Sequence, residues 1–200
     1  MWLRFTNLGD LSIMLPLAVL ISVWLLCSRE WSRAAYWGVL FGLGGLAVAC
    51  SKILFIGWGL GSRQFDFTGI SGHTMLATSV APVVLDLGLA ACAPAWRRGG
   101  LLLGIAFGAL IGYSRLVTHA HSPSEVIAGF VLGLAICLLF VTRAPPRGDR
   151  RYGALLMLLV VACALNWQFD VRAPGQDVIT RIALRLSGHE LPYMRGVWRS

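Results

Sequence analysis

Long apolar runs alternate with short polar segments along most of this chain. Each run is close to the ~20 residues that an α-helix needs to cross ~30 Å of hydrocarbon. Backbone groups in lipid must form their hydrogen bonds within the segment, so the runs predict helices and not strands. The sequence therefore predicts an all-α polytopic membrane protein. Its six transmembrane helices would form a bundle over residues 11–27, 34–56, 74–92, 101–117, 126–142 and 152–167.

The overall composition agrees with this pattern. Of the 200 residues, 57% are hydrophobic and only 13% are charged, and the mean hydropathy is +0.73. A net charge of +8 is compatible with nucleic-acid binding, but the Arg residues lie in short loops between apolar runs. That distribution is typical of membrane topology. Nucleic acid is therefore not an expected partner, whereas membrane lipids are.

Two regions are expected along the chain. Residues 1–167 would form one membrane domain, and residues 168–200 would form a polar tail. Glycines at positions 38, 42 and 45 predict a small-residue face for close packing of the second helix. In the tail, apolar residues at helical spacing predict a short helix lying on the membrane surface, with a disordered tail as the alternative. These residues are Val178, Ile179, Ile182 and Leu186, followed by Gly188 as a stop.

The distribution of arginine predicts the orientation. Six spans place both termini on one side, together with the loops after the second and fourth spans. The short loops of the opposite side carry Arg29, Arg33, Arg97, Arg98, Arg143, Arg147, Arg150 and Arg151. The positive-inside rule makes that side cytoplasmic. Both termini are then expected on the outer, periplasmic or extracellular face of a cell (inner) membrane.

Three polar clusters fall on this predicted outer side. Lys52 lies near the end of the second run, with Arg63 in the loop that follows. Residues 71–73, Ser-Gly-His, open the third run, and residues 114–125 hold two His, one Arg, one Glu and three Ser. Ionisable groups beside membrane spans are costly unless they are paired or hydrated. The clusters therefore predict one shared functional site.

The residue types of these clusters suit phosphate chemistry. Lys52, Arg63 and Arg115 can neutralise phosphate oxygens, arginine through a planar fork of donors. Ser71 and Gly72 begin a helix, where backbone N–H groups and the helix dipole favour an anion.

The histidines of the clusters supply acid–base and nucleophilic groups. His73 and His121 can exchange a proton near neutral pH or attack phosphorus directly. Glu125, four residues after His121, can accept one ring N–H and leave the other ring nitrogen as a nucleophile.

Each cluster also has a simpler interpretation. Ser122-Pro123-Ser124-Glu125 has the pattern of a helix capping box, a role that is compatible with orienting His121. Lys52 and Arg63 are equally interpretable as side chains that extend to the membrane interface. The two His and the Glu of residues 119–125 are a weak candidate for a metal site.

The spacing of the clusters resembles that of a known family. The pattern is Ser114-Arg115, five residues, His121, three residues and Glu125, preceded by Ser-Gly-His at residues 71–73 and by Lys52. It is similar to the type 2 phosphatidic acid phosphatase family, membrane lipid phosphate phosphatases that share their site with vanadium haloperoxidases. The resemblance covers residues 52–125, and the six-span layout matches the membrane members.

This resemblance implies a role for each matched residue. His121 would be the nucleophile that forms a phosphohistidine, and Glu125 the acid that orients it. His73 would be the general acid that protonates the leaving oxygen. Lys52, Arg115 and the backbone of Ser71 and Gly72 would form the phosphate cradle. The resemblance implies no metal and no other cofactor, since fixed cations neutralise the phosphate.

The chain departs from the family pattern at three places. The family's first motif, Lys-x6-Arg-Pro, has Gly59 and Leu60 in its last two positions, and Arg63 is the nearest arginine that could substitute. Ile70 stands where the second motif usually has proline, and Glu125 replaces the usual aspartate.

The sequence therefore predicts an integral membrane phosphatase that hydrolyses a lipid phosphate or pyrophosphate at the outer face of the membrane. A phosphotransferase with the same site is an alternative within enzymes. A transporter would place charges near the bilayer midplane and often shows repeated halves, neither of which is visible here. An inactive binding protein is the alternative that the altered first motif suggests. The sequence does not select one lipid among isoprenyl pyrophosphates, phosphatidic acid, phosphatidylglycerol phosphate and lipid A phosphates.

Overall fold

The computed structural model describes residues 2–143 and 175–196 of the chain. These residues form helices joined by loops, with one isolated antiparallel bridge between Ser62 and Phe67. The helices are α1 (Trp2–Thr6) with a 3-10 turn at Asn7–Gly9, α2 (Leu11–Cys27), α3 (Trp31–Trp58), α4 (Gly72–Gly88), α5 (Pro94–Val117), α6 (Pro123–Thr142) and α7 (Gly175–Ser187). The predicted all-α class is confirmed for the described residues.

Three of these helices, α3, α5 and α6, are long and apolar enough to cross a membrane, and α2 is an apolar helix of 17 residues. The chain is accordingly a membrane protein. The sixth predicted span, residues 152–167, lies outside the described residues, so the complete six-span bundle stays a prediction.

Helix α4 is the central element of the described bundle. Most of its side chains are buried, including the polar Thr74, Thr78 and Ser79. Glycines at every fourth position of α5 bring that helix close to α4, and a Cβ added at Gly104 would lie 2.3 Å from Pro82 Cα. On α6 a Cβ at Gly129 would lie 2.5 Å from the Ser71 carbonyl oxygen. Small residues thus let the backbones of α5 and α6 pack directly against α4.

The predicted close-packing face of glycines on the second span has no neighbouring helix among the described residues. A Cβ added at Gly38, Gly42 or Gly45 would meet nothing within 4 Å among the described residues. Gly44 of the same helix instead faces α6, where an added Cβ would lie 2.4 Å from Ile136 Cδ1. Spacing alone cannot tell which side of a helix meets a neighbour when most of its residues are apolar.

The helix ends that form the site have well-defined caps. α3 ends at Gly59, which has a φ of 66° and donates its N–H to the Phe55 carbonyl oxygen. This left-handed conformation is the usual glycine stop of a helix. α6 begins with the predicted capping box, in which Ser122 Oγ accepts from the Glu125 N–H and Glu125 accepts from the Ser122 N–H. At the opposite end of the bundle, Asp86 pairs with Arg97 at 2.7 Å.

Candidate active site

A cavity of about 600 Å³ lies at one end of the bundle, lined by residues of α3, α4, α5, the connecting loops and the C-terminal part of the chain. The helices alternate in direction, so the N-termini of α2, α4 and α6 lie there with the C-termini of α3 and α5. Four of the residues predicted for the site line this cavity: Lys52, His73, Arg115 and His121. Clusters that are up to 70 residues apart in sequence are therefore brought together, as one shared site requires.

His121, which lines the cavity, forms a hydrogen-bonded pair with the buried Glu125. His121 lies in the loop between α5 and α6, and its Nδ1 is 2.7 Å from Glu125 Oε2. The pair is one helical turn apart because Glu125 occupies the first turn of α6. A proton on Nδ1, donated to the carboxylate, leaves Nε2 unprotonated, which is the form in which a ring nitrogen is able to act as a nucleophile.

The carboxylate of Glu125 is fully buried and has several donors. Oε2 also accepts the capping hydrogen bond from the Ser122 N–H at 3.2 Å. Oε1 accepts from the Thr68 N–H at 2.7 Å, from Thr68 Oγ1 at 2.5 Å and from Arg195 Nη2 at 2.5 Å. The capping and histidine-orienting functions thus coexist on one side chain, and the donors stabilise the charged form of the buried carboxylate.

The surroundings of His121 favour its neutral ring. Burial lowers the pKa of His121 below the ordinary histidine value; Glu125 opposes that effect, and the positive charges of Lys52 and Arg115 add to it. The ring is therefore unprotonated at neutral pH, which is the form that can act as a nucleophile.

His73 contacts Asp10, a residue outside the predicted clusters. His73 Nε2 lies 3.3 Å from Asp10 Oδ2, and Asp10 also caps α2 by accepting the Ser12 N–H at 2.9 Å. Burial alone would raise the pKa of Asp10, but hydrogen bonds from His73 and Ser12 hold it below its usual range. Burial, the largest effect, and the positive charges of Arg115 and Lys52 favour the neutral ring of His73, whereas the ionised Asp10 opposes them by stabilising the protonated ring. Its position just before the first apolar run is a helix-cap signal, but nothing in the sequence connects it with His73.

Lys52 and Arg115 supply positive charge on two sides of the cavity. Lys52 Nζ donates to Gln176 Oε1 at 3.1 Å, and Arg115 Nη1 donates to Thr6 Oγ1 at 3.3 Å. Arg115 Nε is buried and has no hydrogen-bond partner among the described residues. A buried guanidinium donor without a partner is suited to an anionic ligand.

Three residues predicted for the phosphate site lie elsewhere. Ser71 is fully buried; its N–H donates to the Glu125 carbonyl oxygen and its hydroxyl bonds with Thr74 Oγ1. Gly72 lines a neighbouring apolar groove. Arg63 is exposed and is not among the described residues that line the cavity. The loop after α3 bends back through the Ser62–Phe67 bridge, and Thr68, not Arg63, reaches the site.

Beyond α7, the C-terminal part of the chain contributes three residues that the sequence did not indicate. Tyr193, Met194 and Arg195 line the cavity together with the predicted residues. Arg195 Nη2 contacts both Glu125 and Thr68 Oγ1, the latter at 3.0 Å. Arg195 lies 70 residues beyond Glu125, so no motif spacing could have assigned it.

His119 is exposed on the rim of the cavity and has a positive φ of 52°. Among the described residues no group of three His, Cys, Asp or Glu is arranged as a metal site. His119 and His121 therefore differ in environment although they are two positions apart.

Comparisons with known proteins agree with the residue pattern. The model of the PAP2 superfamily matches residues 12–149 of the chain. An "Uncharacterized 22.5 kDa protein in cps region" of Klebsiella pneumoniae is 37% identical over 201 residues, which cover 97% of this chain and 95% of that protein. No solved structure matches the chain.

Proposed function

The chain belongs to the PAP2 superfamily, and from this premise we propose that it is an integral membrane phosphatase acting on a lipid phosphate or pyrophosphate. Membership supports phosphatase activity on a phosphate ester; the lipid substrate and the mechanism are our proposals. The observation that carries them is the His121–Glu125 pair, at 2.7 Å, facing a cavity that also holds Lys52 and Arg115.

The first chemical step would form a phosphoenzyme. Nε2 of His121 attacks phosphorus, and the bond from phosphorus to the leaving oxygen breaks. His73, in the protonated form that Asp10 stabilises, gives its proton to that oxygen, which leaves as a lipid alcohol or a lipid monophosphate. Lys52 and Arg115 neutralise the remaining phosphate oxygens, and this fixed positive charge supplies much of the rate acceleration.

The second step would release inorganic phosphate. Water attacks phosphorus, the phosphorus–nitrogen bond breaks, and His73 takes the proton that water loses. Both rings then return to their starting protonation states, so each cycle consumes one substrate and one water molecule and regenerates the enzyme.

An apolar groove beside the cavity supports a lipid substrate. This groove has a volume of about 730 Å³ and shares Lys52, His73 and Gln176 with the polar cavity. Apolar side chains from four helices line it, among them Leu11, Leu15, Val48, Met75, Leu76, Val178 and Ile179. A lipid substrate would therefore place its phosphate in the cavity and its hydrocarbon chain along the groove, where the chain is shielded from water.

We expect purified protein in detergent to release phosphate from lipid phosphates or pyrophosphates with a chelator present. Replacing His121 by Asn should lower kcat by at least about 1000-fold, because the nucleophile is lost. The matched control is His119→Asn, since His119 is exposed and asparagine tolerates its positive φ. This control should stay within a few-fold of wild type.

An acid-labile phosphoenzyme should also be trapped in wild type and be absent from His121→Asn. Retention of phosphate release by His121→Asn, or its loss on addition of the chelator, would refute the mechanism. Adding acceptor alcohols and identifying the products would separate a hydrolase from a phosphotransferase.

A further inference from the structure

The C-terminal segment, residues 188–196 together with α7, is fixed to the end of α3 by hydrogen bonds to backbone carbonyl groups of that helix. The last carbonyl groups of a helix have no partner within the helix. At the end of α3, the Ile56 carbonyl oxygen accepts from the Tyr193 N–H at 3.0 Å, and the Gly57 carbonyl oxygen lies 2.7 Å from His189 Nδ1. Ala183 of α7 is buried in a cluster with Phe55 and Ile56. The segment is thus held at a defined position beside the cavity.

Arg195 enters the candidate site from this segment. Its Nη2 donates to Glu125 Oε1 at 2.5 Å and to Thr68 Oγ1 at 3.0 Å, and its Nε is 3.7 Å from Asp66 Oδ1. The side chain lines the same cavity as Lys52 and Arg115. A guanidinium carries five N–H donors in a planar fork, so it can bind a carboxylate and still present a donor to a phosphate oxygen.

The conformation at the end of α3 is consistent with a cationic side chain being supplied by the distant C-terminal segment and not by position 59. Position 59 follows Lys52 by seven residues and lies beside Tyr193, which lines the cavity, but Gly59 has the left-handed φ of a helix cap. A Cβ there would be 3.0 Å from Tyr193 Cδ1. A side chain at this position would therefore be strained and would displace the ring of Tyr193. Tyr193 of the C-terminal segment packs against Gly59, and Arg195, two residues after Tyr193, lines the cavity.

We propose that Arg195 is a phosphate-binding residue of this site, provided by the C-terminal segment, and that it also holds Glu125 in place behind His121. The inference rests on the proposed phosphatase function. It assigns to Arg195 the role that sequence spacing gave to Arg63, and it makes the C-terminal segment a part of the active site.

The test compares arginine variants of the full-length protein in detergent. Arg195→Ala should lower kcat/KM by about 10- to 100-fold, the size expected for loss of a hydrogen bond to a charged group. It should also raise the inhibition constant of inorganic phosphate by a similar factor. Arg195→Lys keeps the charge without the fork and should fall between Arg195→Ala and wild type for both quantities.

Two further variants make the comparison specific. Arg181→Ala, on the exposed surface of α7, is the matched control and should stay within about twofold of wild type. Arg63→Ala is the competing variant, and the proposal expects it to have much the smaller effect. A greater loss in Arg63→Ala than in Arg195→Ala would overturn the assignment.

A measurement without turnover separates this inference from the proposed function. Inorganic phosphate should raise the thermal denaturation midpoint of wild type and of Arg181→Ala, and should have a reduced effect on Arg195→Ala. An equal stabilisation of Arg195→Ala, or unchanged kinetics in that variant while His121→Asn is inactive, would overturn the role of Arg195 alone. Absence of phosphate release from wild type, or full activity of His121→Asn, would refute the proposed function instead.

Discussion

The buried carboxylate of Glu125 requires hydrogen-bond donors and positive charge around it. A buried charge is stable only when donors and opposite charges replace the water that it has lost. Glu125 obtains these from His121, Thr68 and Arg195, which come from three separate parts of the chain. Removing one partner leaves an uncompensated charge, so changes at these residues are expected to affect both activity and folding.

At the residue scale, the contact of Asp10 with His73 gives a prediction for the pH dependence. In Asp10→Asn the carboxylate that stabilises protonated His73 is lost, and asparagine still caps α2 because it is an equally good N-cap. The protonated acid is needed for leaving-group departure, so activity falls as pH rises and His73 loses its proton. We expect this basic limb of the kcat/KM profile to move to lower pH by about one unit.

The acid limb of the same profile provides the internal control. It reports protonation of His121, which inactivates the nucleophile as pH falls. Asp10→Asn should leave this limb in place, below the ordinary histidine pKa because burial lowers the pKa of His121. A profile whose two limbs move together, or whose basic limb is unchanged, would contradict a specific role for Asp10.

At the scale of elements, α4 carries His73 into the site and is positioned by direct backbone packing. Glycines on α5 and α6 let both helices approach it, and the ends of the same helices carry Arg115 and Glu125. The distance between His73 and His121 therefore depends on how closely these three helices pack.

We expect Gly104→Ala to destabilise the protein by about 1–3 kcal/mol, the usual cost of overpacking. The added methyl would lie 2.3 Å from Pro82 Cα, and a backbone atom cannot move aside as a flexible side chain can. Thermal denaturation in detergent would measure the effect as a lower midpoint, together with reduced kcat.

Gly42→Ala is the matched control for this prediction. Its Cβ would meet nothing within 4 Å among the described residues, and alanine favours the helix over glycine. Its midpoint should be unchanged or slightly higher. Equal destabilisation of both variants would mean that helix packing around α4 does not depend on Gly104.

At the scale of the whole molecule, the proposed orientation places the cavity at the outer face of the membrane. The loop before α4 lies at the end of the bundle that holds the cavity. The C-terminus of α4, near Cys92, lies at the opposite end, because a helix of 17 residues is about 26 Å long. The Arg residues at positions 29, 33, 97 and 98 cluster at this second end, which the positive-inside rule makes cytoplasmic.

Cysteine labelling can test this orientation in spheroplasts of a bacterial host. Gln64 and Cys92 are both exposed, at opposite ends of α4. In a background with the other cysteines replaced by alanine, Gln64→Cys should react with a membrane-impermeant maleimide in intact spheroplasts. Cys92, tested in a variant without the Gln64 change, should react only after lysis. The reverse pattern would place the site on the cytoplasmic side.

The sequence by itself determined the helical class, the membrane environment and the family. Apolar runs of helix length report burial in lipid directly, and motifs such as Ser114-Arg115 through Glu125 are local enough for spacing to be informative. The capping box at Ser122 was equally readable, because a helix start depends on neighbouring residues.

Only the tertiary structure decided which polar groups meet in the cavity. It brought Asp10 to His73, and Thr68 and Arg195 to Glu125; it left Arg63 and Ser71 outside the cavity. Among the described residues it placed the close approach of helix backbones at the glycines of α5 and α6 and not at Gly42 of α3. These contacts join residues far apart in the chain. They depend on how the helix ends meet and on which carbonyl groups at the end of α3 are available to accept hydrogen bonds, and the periodicity of a sequence does not determine either feature.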